Sequence, residues 1–302
     1  MIWKGVFPAV TTKFTKEDNL DLETFRLNIA AQLAAGVSGV ILGGTLGEAS
    51  SLTNDEKLVL LENAIAETSA KVPVIINIAE QTTKAAVDLA ASLADNGASG
   101  IMLLPPMRYA ADARETVTYF KEVAKSTTLP IMIYNNPVDY KIPVTIDMFE
   151  EILEMPNIEA VKESSRDITY MTRLRIKFGD RLNILSGVDN LALESLMMGA
   201  DGWVAGLVCA FPKETVAIYK LVQAGRHAEA LAIYQWFIPL LELDIHPKLV
   251  QYIKMAESMT GIGTEYVRAP RLTLVGEERE RVIKIIATAL ESRPVLPDYL
   301  SL

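Results

Sequence analysis

The chain has 302 residues, half of them hydrophobic and 22% charged, with a formal net charge of −9; this suits a globular protein with a filled core and excludes a disordered chain. The negative balance comes with no local run of Lys and Arg, so there is no basic field for a phosphate backbone and nucleic acid is excluded as a partner. Cys209 is the one cysteine, which excludes an internal disulfide and a multi-cysteine zinc site, and His227 and His246 lack surrounding metal ligands, so no metal is expected.

The chain starts MIWKGVFPAVTTKF, with two lysines and no apolar stretch long enough for a signal peptide. No apolar run approaches the roughly 18 residues that span a bilayer, so a cytoplasmic protein without membrane contact is expected. Short apolar runs rich in Val and Ile then recur along the chain. They are VFPAVTT from Val6, SGVILGG from Ser38, PVIINIA from Pro73, SGIMLLPP from Ser99, PIMIYNN from Pro130, IEAVKES from Ile158, LNILSGV from Leu182 and GWVAGLV from Gly202. The runs are continuous rather than alternating, as parallel strands buried on both faces require.

Helical periodicity fills the intervals. In DLETFRLNIAAQLAAG, Leu22, Phe25, Ile29 and Leu33 share a face and Gly36 marks the stop, while Thr53 and Glu56 have capping-box spacing. Eight strand-helix units predict a (β/α)8 TIM barrel over residues 1–224. After the eighth unit RHAEALAIYQWFIPLLEL, HPKLVQYIKMAESMTG and EERERVIKIIATALES read as three helices, so residues 225–302 are expected to form a C-terminal helical extension packed on the barrel.

Active sites of such barrels lie at the C-terminal ends of the strands. Among the residues that close the apolar runs, Lys162 is the one amine. A lysine desolvated among apolar neighbours loses stability as the ammonium, so more neutral amine is present to attack a carbonyl. Tyr134, one strand earlier, is positioned to move protons, and Asn136 follows it in the same strand end. The segment GGTLGEASSLT and the turn at Gly187 in SGVDN offer backbone N–H groups suited to a substrate carboxylate.

Gly44 to Glu48, YNNP from Tyr134, VKESS around Lys162 and SGVD from Ser186 resemble, in order and spacing, the dihydrodipicolinate synthase and N-acetylneuraminate lyase superfamily, and the likeness runs from GVFPAVTT to the last helices. The resemblance implies a cofactor-free class I Schiff-base enzyme acting on a 2-oxo acid or its cyclic imine, usually a homodimer or homotetramer. It implies that Lys162 is the Schiff-base lysine, that Tyr134 and Thr45 relay protons, and that Leu46 and Val204 face the substrate carboxylate. Three departures stand out. Leu46 occupies the place of a second threonine, and Asp139 the place of an arginine that holds an aldehyde substrate's carboxylate. Arg108 stands where a neighbouring subunit's tyrosine is usual, with Tyr109 adjacent, and is a candidate for the substrate carboxylate.

LPPMRY, YNNP, KESS and PKLVQYIKMAE are most similar to the 1-pyrroline-4-hydroxy-2-carboxylate deaminase branch. That likeness implies ring opening by Lys162, loss of the hydroxyl as water, and hydrolysis to ammonia and 2-oxoglutarate semialdehyde, a step of hydroxyproline breakdown. A pyruvate-releasing aldolase, a dihydrodipicolinate synthase and a non-catalytic binding member are the alternatives.

Overall fold

The computed structural model describes residues 3–106 and 109–302. Its eight strands are β1 (Gly5–Pro8), β2 (Val40–Leu42), β3 (Val74–Ile78), β4 (Gly100–Leu103), β5 (Ile131–Asn135), β6 (Ile158–Glu163), β7 (Asn183–Ser186) and β8 (Gly202–Ala205). They pair in parallel in the order β1-β8-β7-β6-β5-β4-β3-β2. A parallel bridge between Ala9 and Ile41 joins the two ends of the sheet, with Val10 N–H donating to the Ile41 carbonyl at 2.9 Å. This is the (β/α)8 barrel that the eight apolar runs predict, and every strand is buried almost throughout because helices cover its outer face.

The helices that follow the strands are α1 (Leu22–Ala35), α2 (Asn54–Thr68), α3 (Thr83–Asp95), α4 (Ala113–Lys125), α5 (Pro137–Tyr140), α6 (Ile146–Ile152), α7 (Ile168–Phe178), α8 (Ala192–Met197) and α9 (Pro212–Gln223). Their starts are written in the sequence. Thr53 accepts from the Glu56 amide and the Glu56 carboxylate accepts from the Thr53 amide, which closes the capping box expected there. Asp112 and Glu115 form a second one at the start of α4.

Beyond α9 come α10 (His227–Leu241), α11 (Leu249–Thr260) and α12 (Gly276–Glu291), with no strand between them. The apolar content of α10 packs as its sequence requires: the Phe237 ring lies 5.6 Å from Phe211, Trp236 stacks on Phe237 at 5.4 Å, and the Trp236 indole donates to the Ala289 carbonyl. His246 stacks on Tyr252 with centroids 4.6 Å apart, a packing role. No helix among the described residues is long and apolar enough to cross a membrane.

Helix α11 also anchors the barrel mouth by charge. Lys254 and Glu48 meet at 2.5 Å with both side chains fully buried, and Lys13 and Glu257 do the same at 2.8 Å. Glu257 further accepts from the Thr11 hydroxyl at 2.7 Å, and Lys254 donates to the Tyr266 carbonyl. Burial pushes the Lys254 ammonium down to about 8, against the opposing pull of Glu48. The two pairs therefore fix the end of β1 and the loop after β2 to the helical extension.

Removing one partner of such a pair strands the other charge in the interior. Lys254→Ala is expected to destabilise the fold by about 3–5 kcal/mol, read as a lower midpoint in urea unfolding. Lys84→Ala, which breaks a solvent-exposed pair with Asp88, should leave the midpoint almost unmoved.

Candidate active site

The end of β6 sets the site. Lys162 and Tyr134 are Cα partners across the β5–β6 ladder, so their side chains emerge on the same side of the sheet, and the Lys162 Nζ lies 4.2 Å from the centre of the Tyr134 ring. Lys162 is only 7% exposed. Its Nζ has no hydrogen-bond or ion-pair partner among the described residues. A β-carbon at position 187 would come within 2.7 Å of Lys162 Cγ and Cε and within 2.2 Å of Ser164 Oγ, so glycine there makes the room in which the lysine stem lies.

Lys162 opens into a cavity of about 70 Å³ at the C-terminal mouth of the barrel. Thr45, Leu46, Tyr134, Asn136, Gly187 and Val204 all line it with Lys162. The structure thus gathers seven of the eight residues picked out from the sequence; Arg108 lies outside the described residues. Trp203 packs rather than stacks on a ligand: it is fully buried and donates from Nε1 to Asp189 at 2.9 Å.

The hydroxyls follow a partly different arrangement from the expected relay. The hydrogen bond of the Thr45 hydroxyl is to the Tyr140 hydroxyl, at 2.6 Å, and the Tyr140 ring meets the Tyr134 ring edge-on at 5.5 Å. The Tyr134 hydroxyl accepts from Asn136 Nδ2 at 3.2 Å. Asn136 Nδ2 also donates to Asp139 at 2.7 Å, while the Asn136 side-chain oxygen accepts from the Asp139 amide and caps α5. Tyr140 sits six residues after Tyr134 on the turn that α5 makes, which is how one chain places both phenols at the mouth.

Three carboxylates surround the amine. Asp189 accepts from the Trp203 indole and from the amides of Gly206 and Leu207, the last at 2.7 Å, and so holds the end of β8 in place. Asp139 lines the cavity from α5. Asp244 reaches it from the turn Glu242–Ile245 that joins α10 to α11; a β-carbon at position 206 would lie 2.4 Å from its Oδ1, so the close approach depends on Gly206. Neither Asp244 nor Tyr140 is evident from local sequence pattern. Asp189 sits inside the SGVDN motif, where its strand-end position was a usable signal.

Burial decides the protonation states. It pushes the Lys162 ammonium below the usual lysine range, and the charges of Asp244, then Tyr140, Asp189 and Asp139, pull the other way. Burial pushes the Tyr134 phenol up to about 12; Asp244 and Asp139 add to this and the Asn136 hydrogen bond opposes it. Burial likewise pushes the Asp244 carboxyl well above the carboxylate range, helped by the charge of Asp189. The arrangement supplies a nucleophilic amine, a protonated phenol beside it and a carboxyl group able to hold a proton. Among the described residues no group of three or more His, Cys, Asp or Glu side chains is placed to hold a metal ion.

Asp244 is the largest charge opposing the fall in the Lys162 pKa, so wherever its raised carboxyl is ionised, Asp244→Asn removes a charge that favours the ammonium. The neutral amine should then persist to lower pH. The rising limb of the pH dependence of Lys162 modification by a carbonyl reagent is expected to move to lower pH in the variant, as measured by peptide mass mapping.

Residues 2–289 match the Dihydrodipicolinate synthetase family. A 4-hydroxy-tetrahydrodipicolinate synthase from Exiguobacterium sibiricum is 33% identical over 277 residues, covering 91% of this chain and 92% of the relative. One of the same name from Methanothrix thermoacetophila is 30% identical over 293 residues, covering 96% and 97%. Among solved structures, a dihydrodipicolinate synthase from Bacillus anthracis superposes with a TM-score of 0.91 at 27% identity, covering 98% of this chain and all of that one.

Proposed function

The chain belongs to the dihydrodipicolinate synthetase family, whose members are class I Schiff-base lyases, and on that premise we propose that Lys162 forms an imine with a 2-oxo acid and that the enzyme joins the resulting enamine to an aldehyde. The observation that carries this reading is the buried Lys162 amine over the Tyr134 ring, without a hydrogen-bond or ion-pair partner among the described residues. In the proposed cycle the amine adds to the C2 carbonyl, water leaves, and loss of a C3 proton gives the enamine. Its attack on the aldehyde forms the new carbon–carbon bond, and hydrolysis frees Lys162. Tyr134, kept protonated by burial, delivers and recovers the protons, and Thr45 joins it at the cavity wall through Tyr140, whose hydroxyl it meets and whose ring packs on Tyr134.

The relatives described above carry the synthase name, which supports condensation of pyruvate with aspartate semialdehyde ahead of the ring-opening deamination to which LPPMRY, YNNP and KESS point. One observation favours the deaminase as a second reading. Asp139 and Asp244 both line the cavity, and acidic groups there disfavour an anionic aldehyde but accept from the hydroxyl of a 4-hydroxypyrroline and from its ring nitrogen once that is protonated. Assembly as a homodimer or homotetramer and a cytoplasmic location belong to this proposal.

Parallel product assays separate the readings. Pyruvate consumption that depends on aspartate semialdehyde, with no ammonia from 1-pyrroline-4-hydroxy-2-carboxylate, is the expected result. One ammonia and one semialdehyde per ring would establish the second reading, and pyruvate release from a 2-keto-3-deoxy acid would establish an aldolase. No turnover of any of these would sink the Schiff-base reading. Tyr134→Phe keeps the ring under Lys162 and removes the proton carrier, so kcat on the true substrate should fall by about 10²-fold or more with KM little changed.

A further inference from the structure

The cavity has two cationic side chains among the described residues that line it, Lys162 and Arg166. Once Lys162 is committed to an imine, Arg166 is the cationic side chain that remains among the described residues of the lining. It lies in the loop that closes β6, four residues beyond Lys162. The family-like position for an anion-binding arginine holds Asp139 here, and that carboxylate is itself held by Asn136 at 2.7 Å. An anionic group on a substrate must therefore find its counter-charge elsewhere in the mouth.

Arg166 is solvent-exposed at the rim of the cavity, and two features bear on its role. Its guanidinium has no hydrogen bond or ion pair among the described residues, although Arg175, Arg181 and Arg268 each donate to backbone carbonyls. The neighbouring Asp167 carboxylate is occupied with the Thr169 amide at the start of α7 and with Arg173. The Arg166 backbone also adopts φ 66°, in the left-handed region that favours glycine. An exposed arginine that lines a reactive cavity, with its donors free of protein partners and its backbone in a strained region, is open to a ligand.

We propose that Arg166 receives a second anionic group of the substrate, a carboxylate distal to the 2-oxo acid, at the cavity mouth, and so is the residue that sets the preference for a dianionic over a monoanionic substrate. Its planar fork pairs with both oxygens of a carboxylate, which a lysine does not reproduce. Asp139 and Asp244 line the same cavity, so a substrate with a carboxylate toward Arg166 and an ammonium or hydroxyl toward the acids fits the charges best. The inference rests on the Schiff-base reading for its position in the catalytic cycle, but binding tests it separately.

Calorimetric titration with 2-oxoglutarate and with 2-oxopentanoate compares two 2-oxo acids of equal chain length that differ in the distal carboxylate. The intact protein is expected to bind 2-oxoglutarate more tightly, and Arg166→Gln should reduce that preference by about 10-fold or more, the scale of a charge-assisted pair. Arg166→Lys should recover only part of it. Arg166→Gly is the decisive variant: glycine suits φ 66° and should raise the thermal midpoint, while the preference for 2-oxoglutarate is still lost. Equal binding of the two acids by the intact protein, or an unchanged preference in Arg166→Gly, would overturn the proposal. Arg166-dependent binding without a reducible imine would support it while sinking the Schiff-base reading.

Discussion

Desolvation of one amine is the constraint on which the rest of the site depends. Lys162 can act on a carbonyl at neutral pH only if a substantial fraction is uncharged, and burial in the barrel mouth supplies that bias. Each neighbour is consistent with it. Gly187 gives the lysine stem its space, the Tyr134 ring forms one wall against the amine, and the carboxyl groups of Asp244, Asp189 and Asp139 surround it without forming an ion pair that would fix the ammonium. Their field moderates the shift rather than cancelling it. The same burial holds Tyr134 as a phenol, so nucleophile and proton carrier are poised by a single cause.

The helical extension belongs to the chemistry as well as to the packing. Its turn Glu242–Ile245 delivers Asp244 to the cavity, and α11 drives Lys254 and Glu257 into the barrel to meet Glu48 and Lys13. Glu48 stands three residues after Thr45, so the ion pair that ties the extension down also fixes the loop that presents Thr45 and Leu46. Buried pairs of this kind add little net stability over apolar residues, yet they strongly penalise any arrangement in which one partner is missing. That penalty holds the extension in register over the mouth.

The barrel was legible because its signals are local. Continuous apolar runs such as those beginning at Val74 and Ile131 can only be satisfied by strands covered on both faces, and boxes such as Thr53–Glu56 state where helices begin. Lys162 was legible for the same reason, as a charge inside an apolar run. What escaped depends on distance in the chain or on backbone conformation. Asp244 enters the site from 82 positions beyond Lys162, and no periodicity links the two. Tyr140 meets Thr45 only because α5 folds the chain back, and Arg166 gains its position from a left-handed φ that its own residue type does not signal.

The central claim is that Lys162 forms the covalent bond. Borohydride added during turnover of a 2-oxo acid should reduce the imine to a secondary amine that no longer hydrolyses, inactivating the enzyme in step with labelling. Peptide mass mapping should then find the adduct on Lys162 and no incorporation in Lys162→Ala. Turnover with Lys162 unmodified after reduction, or an adduct on another lysine that tracks the loss of activity, would contradict the account.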